Sequence, residues 1–279
     1  MKSIRILAAC LFLVVGMVGL TNAESPDNEL EYRLVLLNKM IDETNFIVAN
    51  QCSGTLIDIK NKLILTNQHC IDDFLTSVER DEVQPDGTIK KVKREIRKEV
   101  KVQQKTYRDY RQVGMAEYLA VILLHDRKKD LALLQIQADS IPHTQESKLL
   151  PDGRKLQRGQ RLYIVGNPGM LDASFVEGVI SSTNRTIEWS PDQISRYFQF
   201  SGGVFGGNSG GAAYDEAMYL IGVPSAGNRA APFIGFAIPI DFVRDWLKSE
   251  CWAEIWDAEA KKFKECASEK KESKKVDAQ

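Results

Sequence analysis

Gly207-Asn208-Ser209-Gly210-Gly211 sets a serine inside a tight run of glycines, directly before the apolar Ala212-Ala213-Tyr214. A serine hydroxyl is a poor nucleophile until a neighbouring base takes its proton, and the base works best when a buried carboxylate fixes its tautomer. The chain upstream offers both partners. His69 ends the apolar run Ile64-Leu65-Thr66-Asn67-Gln68, and Asp130 opens the run Leu131-Ala132-Leu133-Leu134. His125 and His143 have no comparable setting, and Asp109 and Asp126 are crowded by Arg108, Tyr110, Arg111, Arg127 and Lys128 in what reads as loop. The order His69, Asp130, Ser209 therefore carries the candidate catalytic set. Glycines leave a backbone free to aim successive N–H groups at a developing oxyanion, so the amides of Gly207 and Ser209 are the expected oxyanion hole.

These residues carry a family resemblance. The chain resembles the trypsin-fold, or chymotrypsin-like, serine peptidases, and within them the HtrA-type (DegP-type) branch. The motifs that agree are Ile64-Leu65-Thr66-Asn67-x-His69, Asp130-Leu131-Ala132-Leu133-Leu134, Gly166-Asn167-Pro168, the serine turn, and Gly235-Phe236-Ala237-Ile238-Pro239-Ile240, over roughly residues 50–245. The resemblance implies an all-β fold of two six-stranded antiparallel β-barrels with a C-terminal α-helix, a site in the cleft between them, and hydrolysis of a protein or peptide substrate without cofactor or metal. Two features depart from the HtrA pattern. Phe205-Gly206 stands where those sequences carry Asn-Pro, and Cys52-Ser53-Gly54-Thr55-Leu56-Ile57 with His69-Cys70 looks like the secreted trypsins. No PDZ domain is expected in the stretch after Ile240. Asn208 replaces the aspartate through which a freed N-terminus switches on trypsin relatives, so activation by cleavage is not expected.

By the same resemblance, Gly203, Val223, Ser225 and Ala226 should line the primary substrate pocket. No acidic residue stands at Gly203, which implies a preference for small or medium apolar residues before the scissile bond.

The first residues, Met1-Lys2-Ser3-Ile4-Arg5, precede an apolar run from Ile6 to Leu20 and then Thr21-Asn22-Ala23. That pattern reads as a signal peptide over residues 1–23. About fifteen apolar residues are short for a membrane span, so no span is expected after cleavage. Leu7-Ala8-Ala9-Cys10 also resembles a lipoprotein box, with the cysteine in the middle of the apolar run rather than at its end. The mature protein is expected to be exported, periplasmic or secreted. Export makes disulfides the default state of Cys52, Cys70, Cys251 and Cys266. Four cysteines allow three connectivities. The expected one joins Cys52 to Cys70, as beside the catalytic histidine of the secreted trypsins, and Cys251 to Cys266.

The formal net charge of −1 excludes a globally electrostatic partner. It leaves room for a local one: between Lys90 and Arg111 ten Lys or Arg face three Asp or Glu. That stretch belongs to an expected insertion at residues 79–111, read either as a solvated β-hairpin or as a patch for a polyanion or partner protein. Only Tyr107 and Tyr110 could stack on bases, and no specific nucleic acid is expected.

Around it the chain divides into an arm or short helix at 24–45, an N-terminal barrel at 46–140, a Pro- and Gly-containing linker at 141–157, and a C-terminal barrel at 158–239. Residues 240–279 then form a helix capped by Asp241, with an apolar face running on through Trp256, and a lysine-rich tail. Two rival readings use the same fold: a catalytically silent binding protein, and a protease activated by a partner.

Overall fold

The computed structural model describes residues 26–257 apart from 50, 110, 143, 172–173, 191–192 and 229. The expected signal segment, Cys10, Tyr110, His143, Cys266 and the lysine-rich tail lie outside the described residues.

Six strands close the first barrel: β1 (Asn45–Val48), β2 (Cys52–Asp58), β3 (Leu63–Thr66), β6 (Val100–Arg108), β7 (Arg111–Asp126) and β8 (Leu131–Ile136), in the order β1-β2-β3-β8-β7-β6. Phe46, Val48, Leu56, Ile64, Val102, Ile122 and Leu134 fill it. The second barrel is β9 (Arg161–Gly166), β10 (Ser174–Ser190), β11 (Gln193–Ser201), β12 (Ala212–Tyr214), β13 (Leu220–Asn228) and β14 (Ala231–Pro239), in the order β10-β11-β14-β13-β12-β9. Tyr197, Phe198, Phe200, Tyr214, Val223 and Ile238 are wholly buried within it. The fold is the expected pair of six-stranded barrels followed by a helix.

Why β3 and β8 carry apolar residues on both faces follows from the period of a strand. Successive side chains point to opposite faces. Ile64, Ala132 and Leu134 fill the first barrel, while Leu63, Leu65, Leu131 and Leu133 belong to the core shared with the second. Both faces of these strands are inside the protein, so both are apolar. The same shared core receives α1 (Pro26–Thr44), whose Leu37, Met40 and Ile41 recur at helical spacing and are buried. The last turn of α1 is anchored through Thr44, whose hydroxyl shares a 2.9 Å hydrogen bond with that of Tyr214, itself 2.5 Å from the Ser147 hydroxyl. Burial pushes the Tyr214 phenol up to about 12, so it remains a neutral donor.

Three expectations are corrected here. The stretch 79–111 is not one insertion. Leu75–Val83 (β4) and Ile89–Arg97 (β5) form a separate two-stranded ribbon, whereas Val100–Arg108 is a wall of the barrel, alternating Val100, Val102 and Gln104 inward. Its basic charge is also offset locally. Lys93, Lys91 and Lys90 of β5 lie opposite Glu79, Asp81 and Glu82 of β4, and residues 75–97 hold six Lys or Arg against five Asp or Glu. Third, α2 (Ile240–Ser249) is capped at Pro239, not Asp241, and it stops before Cys251, whose φ of 71° breaks the helical path. Asp241 lies in the first turn, where its carboxylate accepts the Phe242 N–H and pairs with Arg196. Among the described residues no helix is long and apolar enough to cross a membrane.

Candidate functional site

β3 and β8 are antiparallel neighbours, with Thr66 paired to Ala132. The end of β3 and the start of β8 therefore meet at one rim of the barrel. His69 follows the first in a 3₁₀ turn, Gln68–Phe74, and Asp130 immediately precedes the second. This register delivers two residues 61 apart in sequence into contact. The imidazole Nδ1 lies 2.9 and 3.0 Å from the two carboxylate oxygens of Asp130, and the His69 backbone N–H donates to Oδ1 at 3.1 Å. Nε2 is thereby left facing away from the carboxylate, with the lone pair a general base needs.

Asp130 is fully buried and sits at φ 55°, a left-handed conformation that Asp tolerates better than most residues. Two groups hold it there. The Asn67 amide donates to its backbone carbonyl at 2.9 Å, and the Ser225 hydroxyl donates to Oδ2 at 2.6 Å. With both His69 donors, three hydrogen bonds converge on a carboxylate that burial alone would penalise. Burial likewise pulls the His69 pKa down, but the hydrogen bond and charge of Asp130, joined by the charge of Asp72, hold it above the ordinary histidine value.

Ser209 arrives from the second barrel, in the turn that leads into β12. Its hydroxyl donates to the Ser225 carbonyl at 3.2 Å, and among the described residues no hydrogen bond joins it to His69. A rotation about the Cα–Cβ bond is needed to bring the two together. Each peptide unit of the turn is held by its carbonyl. Gly206 O accepts from Gly169 N (2.7 Å), Gly207 O from the Ser53 hydroxyl (2.7 Å), Asn208 O from Gly211 N (3.0 Å) and Ser209 O from Ser53 N (2.8 Å). The N–H groups of Gly207 and Ser209 take no acceptor among the described residues. Gly207 has φ 104°, and a side chain there would strike the Asn167 carbonyl. Asn208 is buried, with its amide nitrogen unpartnered among the described residues.

The expected pocket residues divide. Val223 is wholly buried in the core of the second barrel. The Ser225 side chain serves Asp130 instead, which its place in Val223-Pro224-Ser225-Ala226 gave no sign of. Gly203 lies beside Phe205 and the Pro232 carbonyl, and Ala226 packs partly buried against the core. Val204 closes in on Gly227 and Gly235: a Cβ on Gly227 would meet its carbonyl at 2.6 Å, and one on Gly235 its Cγ2 at 2.6 Å. Asp109 and Asp126 stay away from the site, Asp109 in a turn at φ 50° and Asp126 paired with Lys129.

Cys52 is bonded to Cys70, with Cα atoms 5.8 Å apart, which fastens the His69 turn to β2. Cys251 is also disulfide-bonded. Its expected partner, Cys266, lies outside the described residues. Cys52, His69 and Cys70 place their donor atoms within 4.8 Å of one another. The two sulfurs are spent on each other, however, and a metal needs thiolates.

The trypsin-like peptidase domain family matches residues 52–223. A protein of Halomonas elongata named "Probable periplasmic serine endoprotease DegP-like" is 34% identical over 132 residues, 46% of this chain and 27% of the relative. "Serine endoprotease DegS" of Haemophilus influenzae is 30% identical over 128 residues, 44% of this chain and 36% of the relative. The chain thus spans about a third or less of these relatives' length. Among solved structures, that of Deg5 superimposes with a TM-score of 0.55 at 25% identity, covering 78% of this chain and 93% of Deg5. The matched family covers more than half of the chain and the fold is the same pair of barrels, so the chain belongs to the trypsin-like peptidases and has HtrA-type proteases among its relatives.

Proposed function

We propose that this protein is an exported serine endopeptidase that cleaves peptide bonds through Ser209, His69 and Asp130. The observation that carries the reading is the Nδ1–carboxylate contact between His69 and Asp130, 2.9 Å long, at the rim where the Ser209 turn enters from the other barrel. Ser209 rotates toward Nε2 and attacks the substrate carbonyl as its proton passes to His69. Asp130 stabilises the imidazolium, and the Gly207 and Ser209 amides receive the oxyanion. Collapse expels the amine, which takes the proton from His69 and leaves an acyl-enzyme. Water, deprotonated by His69, then releases the acid and restores Ser209.

The pocket reading is a preference for small or medium apolar residues before the scissile bond. Gly203 carries no charge, and the Val204 side chain, set against Gly235, adds an apolar wall. Export is supported by the leading segment and by the periplasmic description of the Halomonas elongata relative.

A fluorophosphonate probe followed by mass spectrometry tests the chemistry, with Ser209→Ala as control. Modification at Ser209 is expected. A folded protein that stays unmodified refutes the triad. A peptide library tests the pocket, and dominant cutting after Lys or Arg sinks the apolar preference.

A further inference from the structure

The two amides assigned to the oxyanion hole sit on a turn of the second barrel, yet two of its four carbonyls are gripped by one residue of the first. Ser53, in β2 and wholly buried, donates its hydroxyl to Gly207 O at 2.7 Å and its backbone N–H to Ser209 O at 2.8 Å. The same hydroxyl accepts the Asn167 backbone N–H and side-chain amide, both at 2.9 Å. One donor and two lone pairs are all a serine hydroxyl has, so it is fully used and can adopt one orientation only. Asn167 is fixed in turn. Its amide nitrogen also reaches Phe46 O at 3.2 Å, and its Oδ1 accepts from Asn45 at 3.0 Å. A chain of hydrogen bonds thus runs from β1 and β2 through the loop after β9 to the peptide units that follow Gly207 and Ser209.

Resting on the peptidase reading above, we propose that Ser53 is a positioning residue for the oxyanion hole, locking the Gly207–Ser209 turn across the barrel interface so that both amides face the reacting carbonyl. Among the described residues Ser53 makes no hydrogen bond to the Ser209 hydroxyl, and its effect passes through the turn it holds. Catalysis by preorganised donors depends on their not moving as charge develops, and a displacement near 1 Å costs on the order of 100-fold. Loss of the clasp therefore acts on the transition state and leaves ground-state binding of the peptide alone.

The test compares the full chain with Ser53→Ala and Asn167→Asp. An aspartate at 167 accepts the Ser53 proton and draws the hydroxyl off Gly207 O without opening a cavity, so it carries the test should Ser53→Ala unfold. For the unmodified chain, Ser209 labelling by the fluorophosphonate comes first. For the variants, kcat and KM on a peptide substrate are measured beside the affinities for a peptide aldehyde, which forms the oxyanion, and for a non-cleavable peptide of the same sequence, which does not. The expected result is a fall of about 10- to 100-fold in kcat and in aldehyde affinity, with KM and non-cleavable peptide affinity within about twofold. Unchanged kcat in a folded variant, or parallel loss of both affinities, overturns the role of Ser53 while the peptidase reading stands. Absence of Ser209 labelling in the unmodified chain overturns the peptidase reading and the role of Ser53 with it.

Discussion

Gly207 and Gly206 are adjacent, both glycine, and occupy opposite physical situations. Gly207 has φ 104°, and an ideal Cβ there would lie 2.1 Å from the Asn167 carbonyl oxygen, 3.0 Å from its carbon and 3.2 Å from Gly169 N. All three are backbone atoms that cannot rotate aside. Relief of such a contact needs a shift of about 1 Å in one loop or the other, and the backbone conformation adds about 1–3 kcal/mol of strain for a residue with a side chain. Either response moves the Gly207 N–H off the oxyanion. Loss of one such donor lowers kcat by about 10²–10³, or roughly 3–4 kcal/mol of transition-state stabilisation. Gly206 meets nothing within 4 Å and has no positive φ. Gly207→Ala is therefore expected to lose kcat by about 10²–10³, with KM nearly constant, while Gly206→Ala stays within about threefold of the parent. A fluorogenic peptide assay gives both constants, and near-ultraviolet circular dichroism confirms the fold. Equal losses in the two variants, or full kcat in a folded Gly207→Ala protein, would falsify the assignment of the Gly207 amide.

Because protonated His69 cannot act as base, kcat/KM should rise with pH through its pKa, and Asp130 places that acid limb above the ordinary imidazole value. Asp130→Asn removes the charge and should shift the limb to lower pH while lowering kcat; a limb that stays put in the pH–rate profile contradicts the pairing. The Cys52–Cys70 bridge closes a loop of 18 residues. Replacing both cysteines by serine should lower unfolding stability by about 3 kcal/mol, read as a reduced urea midpoint. With six cations against five acids, the β4–β5 ribbon should give little salt-dependent retention on a polyanion resin. Elution only at high salt, lost on neutralising Lys90, Lys91 and Lys93, would show that the acidic strand fails to offset them.

The architecture was legible because its signals are local. The apolar runs that lead into His69 and out of Asp130 are strands, β3 and β8, and the His-Asp-Ser order selected the fold through resemblance. The ribbon misled for a reason equally physical. Lys90 to Arg111 is basic along the chain, but charge in a hairpin is set by the partner strand, and Glu79, Asp81 and Glu82 lie outside that window while facing it across β4–β5. The boundary at Val100 is likewise a fact about pairing: Val100 to Gln104 alternates inward only because β1 and β7 flank it. Asp241 looked like a cap because Asp is a favoured one, yet Pro239 already holds the extended conformation a cap requires, and the helix begins two residues earlier than an Asp241 cap implies.

At the site, the sequence offered the proposed reacting groups and withheld what holds them. His69, Asp130 and Ser209 stand in motifs, each readable from its own neighbours. The hydroxyl of Ser225 on Asp130 joins residues 95 apart, and that of Ser53 on Gly207 joins residues 154 apart. Ser53 stood out only as part of the Cys52–Ile57 stretch and Ser225 only as an expected pocket residue, and neither reading points to these contacts. Both contacts cross between barrels: the second barrel supplies the donor that supports the first barrel's carboxylate, and the first supplies the donor that supports the second's oxyanion turn. A cleft built this way transmits relative barrel movement to both halves of the chemistry. Ser225→Ala should accordingly weaken Asp130, whose remaining hydrogen bonds through its carboxylate both come from His69. Loss of a hydrogen bond to a charged group is worth about 1.5–3 kcal/mol. Since Ser225 touches the base's partner and Ser53 touches the oxyanion turn, the double variant measures their coupling: a kcat loss equal to the product of the two single losses means independent supports, and a smaller combined loss means that the barrels had already shifted when the first was removed.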